Sequence, residues 1–171
     1  MSTTMSTKSQ EQISAHNGGI FYDLAGHVLD QIVWILGRPT SVTSFMRSDA
    51  STKQIFTDNT LAVFEYDRAM ATIDIAAMEP APTARRFEVY GDRGSAIMEP
   101  FEPADSIRLC LSTQTGEYES GITTVKLGDR RRYVASLEAF IKDIRGEKNP
   151  DRSLEHELLV QEPLLRATRR H

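Results

Sequence analysis

The spacing of apolar residues changes along the chain, from a helical period to a strand-like one and back. This change constrains the fold more than any other feature of the sequence. Over 20–36, large apolar side chains recur at helical spacing, and Gly37 and Pro39 follow as stop signals, which predicts a helix. Apolar residues occupy most of the circumference of this segment, so we expect it to be buried on most sides. Short β-rich runs come next, and two helix-period segments close the chain. This order predicts an α+β fold, with an open-faced, mostly antiparallel sheet and helices packed on one face of it.

The predicted strands are short and are mostly joined by turns. They cover 41–47, 60–66, 70–78, 86–90, 95–99, 107–111 and 122–127. The first closing helix is predicted over 132–144, and Ser153 is the predicted N-cap of the second. The expected apolar face of that last helix comprises Leu154, Leu158, Leu159, Leu164 and Leu165.

The length of 171 residues suits one domain. The segment 1–17 is polar and lacks apolar periodicity, so we interpret it as a flexible leader. The remaining span, 18–171, is interpreted as the folded domain.

Composition and charge exclude several classes of protein. Twenty Lys and Arg against 24 Asp and Glu give a net charge of −4, without the basic footprint of a nucleic-acid binder. The longest run of large apolar residues, 32–36, is far shorter than the about 20 residues of a membrane span. Neither a secretory signal nor a disulfide framework is visible, because the leader is polar and Cys110 is the single cysteine. We therefore expect a cytoplasmic protein, with Cys110 buried in a strand.

The candidate chemistry lies on the first predicted helix. Asp23, His27 and Asp30 are spaced by four and three residues, which places them on one stripe, and Trp34 follows one turn later. A carboxylate beside an imidazole fixes which ring nitrogen carries the proton and suits a His that accepts a substrate proton. The alternative is an ordinary solvated helix pair. Ionisable groups on a helix with so many apolar residues favour a catalytic site, since their burial is costly unless they are paired or face a cavity.

The glycines of this segment have two open interpretations. Gly18 and Gly19 precede the helix and could let a ligand approach its N-terminus, or they could be a flexible join. Gly26, in the middle of the helix, indicates close approach of a backbone or a ligand.

Other catalytic and binding motifs are absent from the sequence. No G-x-G-x-x-G or G-x-x-x-x-G-K-[ST] pattern occurs, so the chain has no phosphate cradle of either kind. His156 and Glu157 begin a pattern like that of zinc proteases, but Val160 stands where the second His is needed. We therefore predict no metal site.

Several motifs in a fixed order carry a resemblance to a known family. The stretch 18–39 contains D-x-x-x-H at Asp23 and His27, 58–66 has the pattern of a hairpin, and 87–95 contains VYG-x-x-G-S. Together with the closing segments 137–146 and 158–161, they resemble the C-terminal domain of the Gfo/Idh/MocA oxidoreductases. This family of NAD(P)-dependent dehydrogenases includes glucose–fructose oxidoreductase and inositol dehydrogenase. The resemblance covers about residues 18–168.

The resemblance implies a fold and a set of roles. The domain would have helices on one side of its sheet and would use the free face for homo-oligomerisation. Asp23 would orient substrate hydroxyls and the imidazole, and His27 would act as acid and base at the carbon that exchanges hydride with the nicotinamide, with Gly18 and Gly19 near the nicotinamide or substrate. Asp30 would be structural. Substrates in the family are mostly sugars, cyclitols and related polyols.

This sequence lacks a counterpart of the family's N-terminal Rossmann domain. Binding of NAD or NADP is therefore expected only where a Rossmann domain is supplied. Our first hypothesis is the substrate-binding and oligomerisation domain of an NAD(P)-dependent oxidoreductase, inactive alone and part of a longer protein or paired with a Rossmann subunit. The alternative is a non-catalytic, self-associating interaction module. A cofactor-free isomerase or hydrolase at Asp23 and His27 is a third hypothesis, but no motif supplies its oxyanion-stabilising groups.

Overall fold

The predicted order of helices and strands is present in the structure. The computed structural model describes residues 18–49, 57–79, 85–101, 103–128 and 133–169, so the predicted leader 1–17 lies outside the described residues. The helices are α1 (Gly19–Leu36), α2 (Val134–Ile144) and α3 (Leu154–Thr168). The strands are β1 (Ser41–Arg47), β2 (Asn59–Glu65), β3 (Met70–Ala76), β4 (Phe87–Gly91), β5 (Gly94–Met98), β6 (Ser106–Leu111) and β7 (Gly121–Lys126). The α+β class is confirmed, and all seven predicted strands lie within two residues of their expected bounds.

The strands form two antiparallel sheets in the described residues, where the sequence suggests one. The first sheet has the order β1-β2-β3, and the second has the order β4-β5-β6-β7. The chain correspondingly divides into two compact units within the expected single domain: one runs to Ala81 and resumes at Asp151, and the other is Pro82–Pro150. The sequence between β3 and β4 contains Pro80 and Pro82, which have no N–H to donate to a strand ladder.

In the first unit, helices α1 and α3 pack together and against the three-stranded sheet. Side chains in β2 alternate, with Thr60, Ala62 and Phe64 buried and Leu61 exposed, as a strand covered on one face requires. The expected packing of helices on one face is therefore present in this unit. Its buried apolar side chains are Ile20, Phe21, Ala25, Leu29, Ile32, Val33, Ala62, Phe64, Ile73, Val160, Leu164 and Ala167.

Helix α1 is buried on one side only, which corrects the expectation of burial round most of its circumference. Phe21, Ala25, Leu29 and Ile32 face the sheet and α3, whereas the last three residues of the helix, 34–36, are apolar and exposed. Hydrophobic spacing predicts the helix, but neighbouring elements decide how much of its surface is covered. Among the described residues of this unit, the sheet and α3 pack against α1, and the opposite face is exposed.

Helix α3 begins as predicted but buries a different set of residues. The hydroxyl of Ser153 accepts a hydrogen bond from the backbone N–H of His156 at 3.1 Å, which confirms the N-cap. Leu164 is buried as expected, but the expected apolar-face residues Leu154, Leu158 and Leu165 are exposed. The buried positions of the helix are Val160, Pro163, Leu164, Ala167 and Thr168. The difference arises because docking against α1 and β1, not leucine content, sets which face of α3 turns inward.

The second unit is a four-stranded meander that precedes α2. Residues at directly paired positions share a face, and one face carries a continuous apolar surface. Its members are Phe87, Val89, Ala96, Met98, Ile107, Leu109, Leu111 and Val125. Phe101 stacks on Phe87 with ring centroids 5.7 Å apart. Even so, none of the described residues of this unit is buried, including those of α2.

Two predictions about individual features have clear outcomes. Cys110 lies in β6 as expected, but its side chain is exposed rather than buried, since it lies on the face opposite the apolar one. Among the described residues, no helix combines the length and apolarity that crossing a membrane requires.

Candidate functional site

The acid–base stripe predicted from the sequence lies on the exposed face of α1. Because α1 is one continuous helix, Asp23, His27, Asp30 and Trp34 fall on one side of it, opposite the buried Ala25 and its core neighbours. Asp23 and His27 are both exposed. They are one turn apart, about 6 Å along the helix axis. In the part of the chain that the structure describes, no hydrogen bond or ion pair joins them to each other.

The exposure of Asp23 and His27 changes the argument for a catalytic site. Because both side chains are solvated, the cost of burial that favoured such a site in the sequence does not apply to them, and they are not bonded to each other. Asp23 and His27 instead present a carboxylate and an imidazole to the same side of the unit, where both can reach one bound molecule. That arrangement can orient a hydroxyl and exchange its proton.

Asp30, the third member of the stripe, is held by residues of the chain's C-terminal segment. Its carboxylate accepts two hydrogen bonds from Arg152, from Nε at 2.9 Å and from Nη2 at 3.0 Å. His156 Nε2 lies 2.6 Å from Oδ1 of Asp30. The amide of Gln31 donates to Oδ2 at 2.9 Å. Asp30 is therefore engaged within the protein, as a structural residue would be.

The contacts in this cluster stabilise the charged forms of Asp30 and Arg152. The hydrogen bonds from Arg152 hold the pKa of Asp30 below its usual value, although partial burial opposes them, and His156 adds to the lowering. The same contact with Asp30 raises the pKa of Arg152. The side chains are only a quarter or less exposed, 25% for Asp30, 23% for Arg152 and 16% for His156. Limited solvent access makes the ion pair stronger than a typical surface pair.

Trp34 completes the stripe through contact with the same arginine. The guanidinium carbon of Arg152 lies 3.7 Å from the centroid of the Trp34 ring system, which is a cation–π contact. Trp34 nevertheless remains 64% exposed. One face of the indole is therefore covered by a fixed cation while the rest of the ring meets solvent.

Sequence reasoning missed Arg152 and His156 as members of this cluster. They lie 122 and 126 residues after Asp30, and no local spacing links residues so far apart. In the sequence, His156 belongs to an incomplete zinc motif, which does not point to Asp30. In the described residues, no group of three or more His, Cys, Asp or Glu side chains is placed to hold a metal ion.

Packing contacts occupy the space beside the glycines that precede the stripe. Gly18 and Gly19 both have left-handed backbones, with φ of 98° and 51°. A Cβ on Gly18 would lie 2.3 Å from Thr168 Cγ2, and one on Gly19 would lie 2.5 Å from the carbonyl oxygen of Thr57. Protein atoms therefore occupy the Cβ direction of both glycines, which gives each of them a packing role, and their place near a nicotinamide or substrate stays a prediction.

The N-terminus of α1 also fails as a place for a cofactor phosphate. The backbone N–H of Ile20 donates to the carbonyl of Thr57 at 3.0 Å, and the N–H groups of Phe21 and Tyr22 donate to Gly18. A phosphate bound at a helix N-terminus would need these N–H groups to be free. At the start of α1, the N–H groups of these three residues are therefore engaged within the protein.

Comparison with known proteins identifies the family. A sequence model of the GFO/IDH/MocA C-terminal domain matches residues 3–97, more than half of the chain. An Escherichia coli protein described as uncharacterized oxidoreductase YdgJ is 32% identical over 90 residues, which are 51% of this chain and 25% of that protein.

Solved structures agree at the level of the fold. The P212121 crystal form of UDP-N-acetylglucosamine 3-dehydrogenase GnnA from Acidithiobacillus ferrooxidans matches 95% of this chain with a TM-score of 0.73 and 16% identity. Its P21 form matches 87% with a TM-score of 0.71 and 18% identity. These matches cover 48% and 46% of the GnnA chains, so this chain corresponds to about half of that relative. Because the family model covers more than half of the sequence and the fold agrees, this chain belongs to the Gfo/Idh/MocA family of oxidoreductases as a C-terminal domain.

Proposed function

We propose that this chain is the substrate-binding and oligomerisation domain of an NAD(P)-dependent oxidoreductase that acts on a sugar, cyclitol or related polyol. The observation that carries the proposal is the pair Asp23 and His27, one turn apart and exposed on α1, opposite the buried core. Family membership supports the reaction class, and the polar stripe supports a hydroxylated substrate. A cytoplasmic location remains the prediction from the sequence.

In this proposal His27 exchanges a proton with the substrate hydroxyl at the reacting carbon. Neutral imidazole accepts the proton when the alcohol is oxidised and returns it in the reverse direction. Asp23, one turn earlier on the exposed face, receives a neighbouring hydroxyl and orients the imidazole. Asp30 takes no part in proton transfer, because its oxygens are engaged with Arg152, His156 and Gln31.

The cofactor belongs on a separate Rossmann domain in this proposal. Neither the sequence motifs nor the N-terminus of α1 offers a phosphate site. The chain alone is therefore expected to bind no dinucleotide and to be inactive, until a Rossmann domain brings the nicotinamide to the exposed stripe.

Self-association is proposed through the second unit. The apolar face of its four-stranded sheet runs from Phe87 to Val125 across all four strands, and none of its members is buried in a single copy. Covering such a face with a second copy removes apolar surface from water. Sedimentation velocity should show a dimer or larger oligomer, and Leu109→Lys should shift it toward monomer.

The catalytic half of the proposal is tested by complementation. NAD(H) or NADP(H) titrated into the chain should show no binding tighter than millimolar. A family Rossmann domain added in trans, with a panel of polyols, should then give turnover that His27→Ala removes. Phe45→Ala, an exposed aromatic of β1 outside the stripe, is the matched control and should retain turnover. Micromolar dinucleotide binding by the chain alone would contradict the proposal.

A non-catalytic, self-associating module remains the second candidate. The incompletely buried apolar face of the second unit favours it, because that face supports association without any chemistry. The complementation experiment separates the two candidates: oligomers that form normally, together with no turnover for any polyol, favour the module.

A further inference from the structure

We propose that His156 is a proton-relay residue of the α1 site, which takes a proton from His27 and passes it to solvent. This inference rests on the proposed function, since it takes His27 to accept the proton of a substrate hydroxyl. It adds a residue of the last helix to a site that the sequence places on the first helix alone.

The first observation is that a carboxylate–imidazole contact does form beside the stripe, but between Asp30 and His156. Nε2 of His156 lies 2.6 Å from Oδ1 of Asp30, whereas Asp23 and His27 are not bonded to each other. A carboxylate at this distance orients the imidazole ring and favours the tautomer with its proton on Nε2. The oriented imidazole of this region is therefore that of His156.

The second observation concerns the other ring nitrogen of His156. Among the described residues, no hydrogen bond reaches Nδ1. When Nε2–H is donated to Asp30, Nδ1 carries the lone pair of the neutral ring and can accept a proton. The side chain is 16% exposed, so the ring keeps some contact with solvent.

The third observation is that Asp30 is held in its charged form. Two hydrogen bonds from Arg152 keep the pKa of Asp30 below its usual value. Asp30 therefore leaves the proton on the imidazole, and its charge stabilises the imidazolium that forms when Nδ1 is protonated. Arg152 opposes a second positive charge, but Asp151 and Glu157 also act on Arg152, so carboxylates outnumber the guanidinium here.

The position of Asp30 brings this imidazole close to the acid–base pair. Asp30 follows His27 by three residues on the same helix, which places their Cβ atoms about 5–6 Å apart. Because His156 is bound to the Asp30 carboxylate, its ring lies in the neighbourhood of His27. No other imidazole of the described residues is bonded to the stripe.

The proposed transfer begins once His27 has taken the proton of the substrate hydroxyl. A bound polyol and a Rossmann domain would cover His27, so its proton needs a route to water. The imidazolium of His27 gives the proton to Nδ1 of His156, directly or through one water. His156 then holds a proton on each nitrogen until Nδ1 releases one to solvent, which restores both neutral rings.

The tautomer of His156 can be measured in the full 171-residue chain. Long-range proton–nitrogen correlation NMR would be recorded well above the ordinary imidazole pKa of about 6.5. We expect the proton of His156 on Nε2 and the lone pair on Nδ1, whereas His27 should exchange between its two tautomers. The spectrum of His156→Gln assigns the signals. A proton fixed on Nδ1 would overturn the relay, because that nitrogen could not accept another.

The relay itself is tested with a variant that keeps the contact and loses the chemistry. The amide of His156→Gln can still donate to Asp30, but it cannot carry a proton. With a family Rossmann domain in trans and glucose or myo-inositol as substrate, kcat should fall about 100-fold, with KM and the denaturant midpoint unchanged. Added imidazole, which can carry the proton away from His27, should restore about a tenth of the lost kcat. Glu155→Gln, the exposed neighbour in the same turn, is the matched control and should change none of these.

The results separate this inference from the proposed function. Full activity of His156→Gln, together with inactive His27→Ala, would overturn the relay and leave the proposed function standing. A loss of kcat that imidazole does not restore would make the role of His156 structural and would also overturn the relay. No turnover by the native chain with either substrate would overturn both.

Discussion

His156 and Asp30 join the last helix of the chain to the first, with Nε2 of the imidazole 2.6 Å from Oδ1 of the carboxylate. Arg152, just before α3, binds the same carboxylate through both of its oxygens. The two contacts bring the start of α3 to the middle of α1, directly beside the acid–base stripe. Asp30 therefore joins the two helices beside the proposed acid–base pair.

Removal of the Asp30 carboxylate should destabilise the first unit. In Asp30→Ala, Arg152 and His156 lose a shared acceptor, and we expect the free energy of unfolding to fall by about 1–2 kcal/mol, less than for a fully buried pair. Urea titration followed by circular dichroism measures this change. Asp23→Ala, on the same stripe but without such partners, should change stability by less than about 0.5 kcal/mol. Equal effects of the two substitutions would show that the contacts of Asp30 with Arg152 and His156 do not add to the stability of the unit.

The contribution of Asp30 should depend on pH in the acidic range. The hydrogen bonds from Arg152 lower the pKa of Asp30 in the folded state, so the folded chain holds this proton less tightly than the unfolded chain does. The resulting stability is fully present above the unfolded pKa, about 3.9, and is lost as the pH falls through the lower folded value. The difference in stability between the native chain and Asp30→Ala should therefore shrink as the pH falls below about 4. A difference that continues to grow below about pH 4 would contradict this assignment.

Phe64 should be a main determinant of stability in the first unit. Its ring is fully buried between the sheet and the helices, and Phe64→Ala should cost about 3–5 kcal/mol in free energy of unfolding through lost burial and a cavity. Phe45→Ala is the matched control, because Phe45 lies on the neighbouring strand but is 57% exposed. The control should cost less than about 1 kcal/mol by the same denaturant titration.

Gly26→Ala should stabilise the protein, contrary to the close approach that the sequence suggests. Within the described part of the chain, a Cβ at this position would meet only Leu164 Cδ2, at an ordinary contact distance of 3.8 Å. Replacing a mid-helix glycine by alanine should therefore add about 1 kcal/mol to the free energy of unfolding, measured as a higher denaturant midpoint. Gly18→Ala should act in the opposite direction, because its backbone is left-handed and its Cβ would overlap Thr168. A destabilising Gly26→Ala would mean that another backbone or a ligand does lie against this glycine.

The sequence by itself determined the elements and the candidate catalytic pair. Hydrophobic period is a local property, so it predicted α1 and the seven strands within two residues. Helical spacing likewise placed Asp23, His27, Asp30 and Trp34 on one stripe. The ordered motifs and the resemblance they carry pointed to the family that the sequence comparison then confirmed.

Only the tertiary structure decided which faces are covered and which residues meet across the chain. It left the stripe of α1 exposed, turned Leu154 and Leu158 outward, divided the strands between two sheets and brought Arg152 and His156 to Asp30. These features depend on contacts between segments more than a hundred residues apart or on how many elements are available to cover a surface. Local spacing carries no information on either, because it fixes the direction of a side chain relative to its own helix and not what lies opposite.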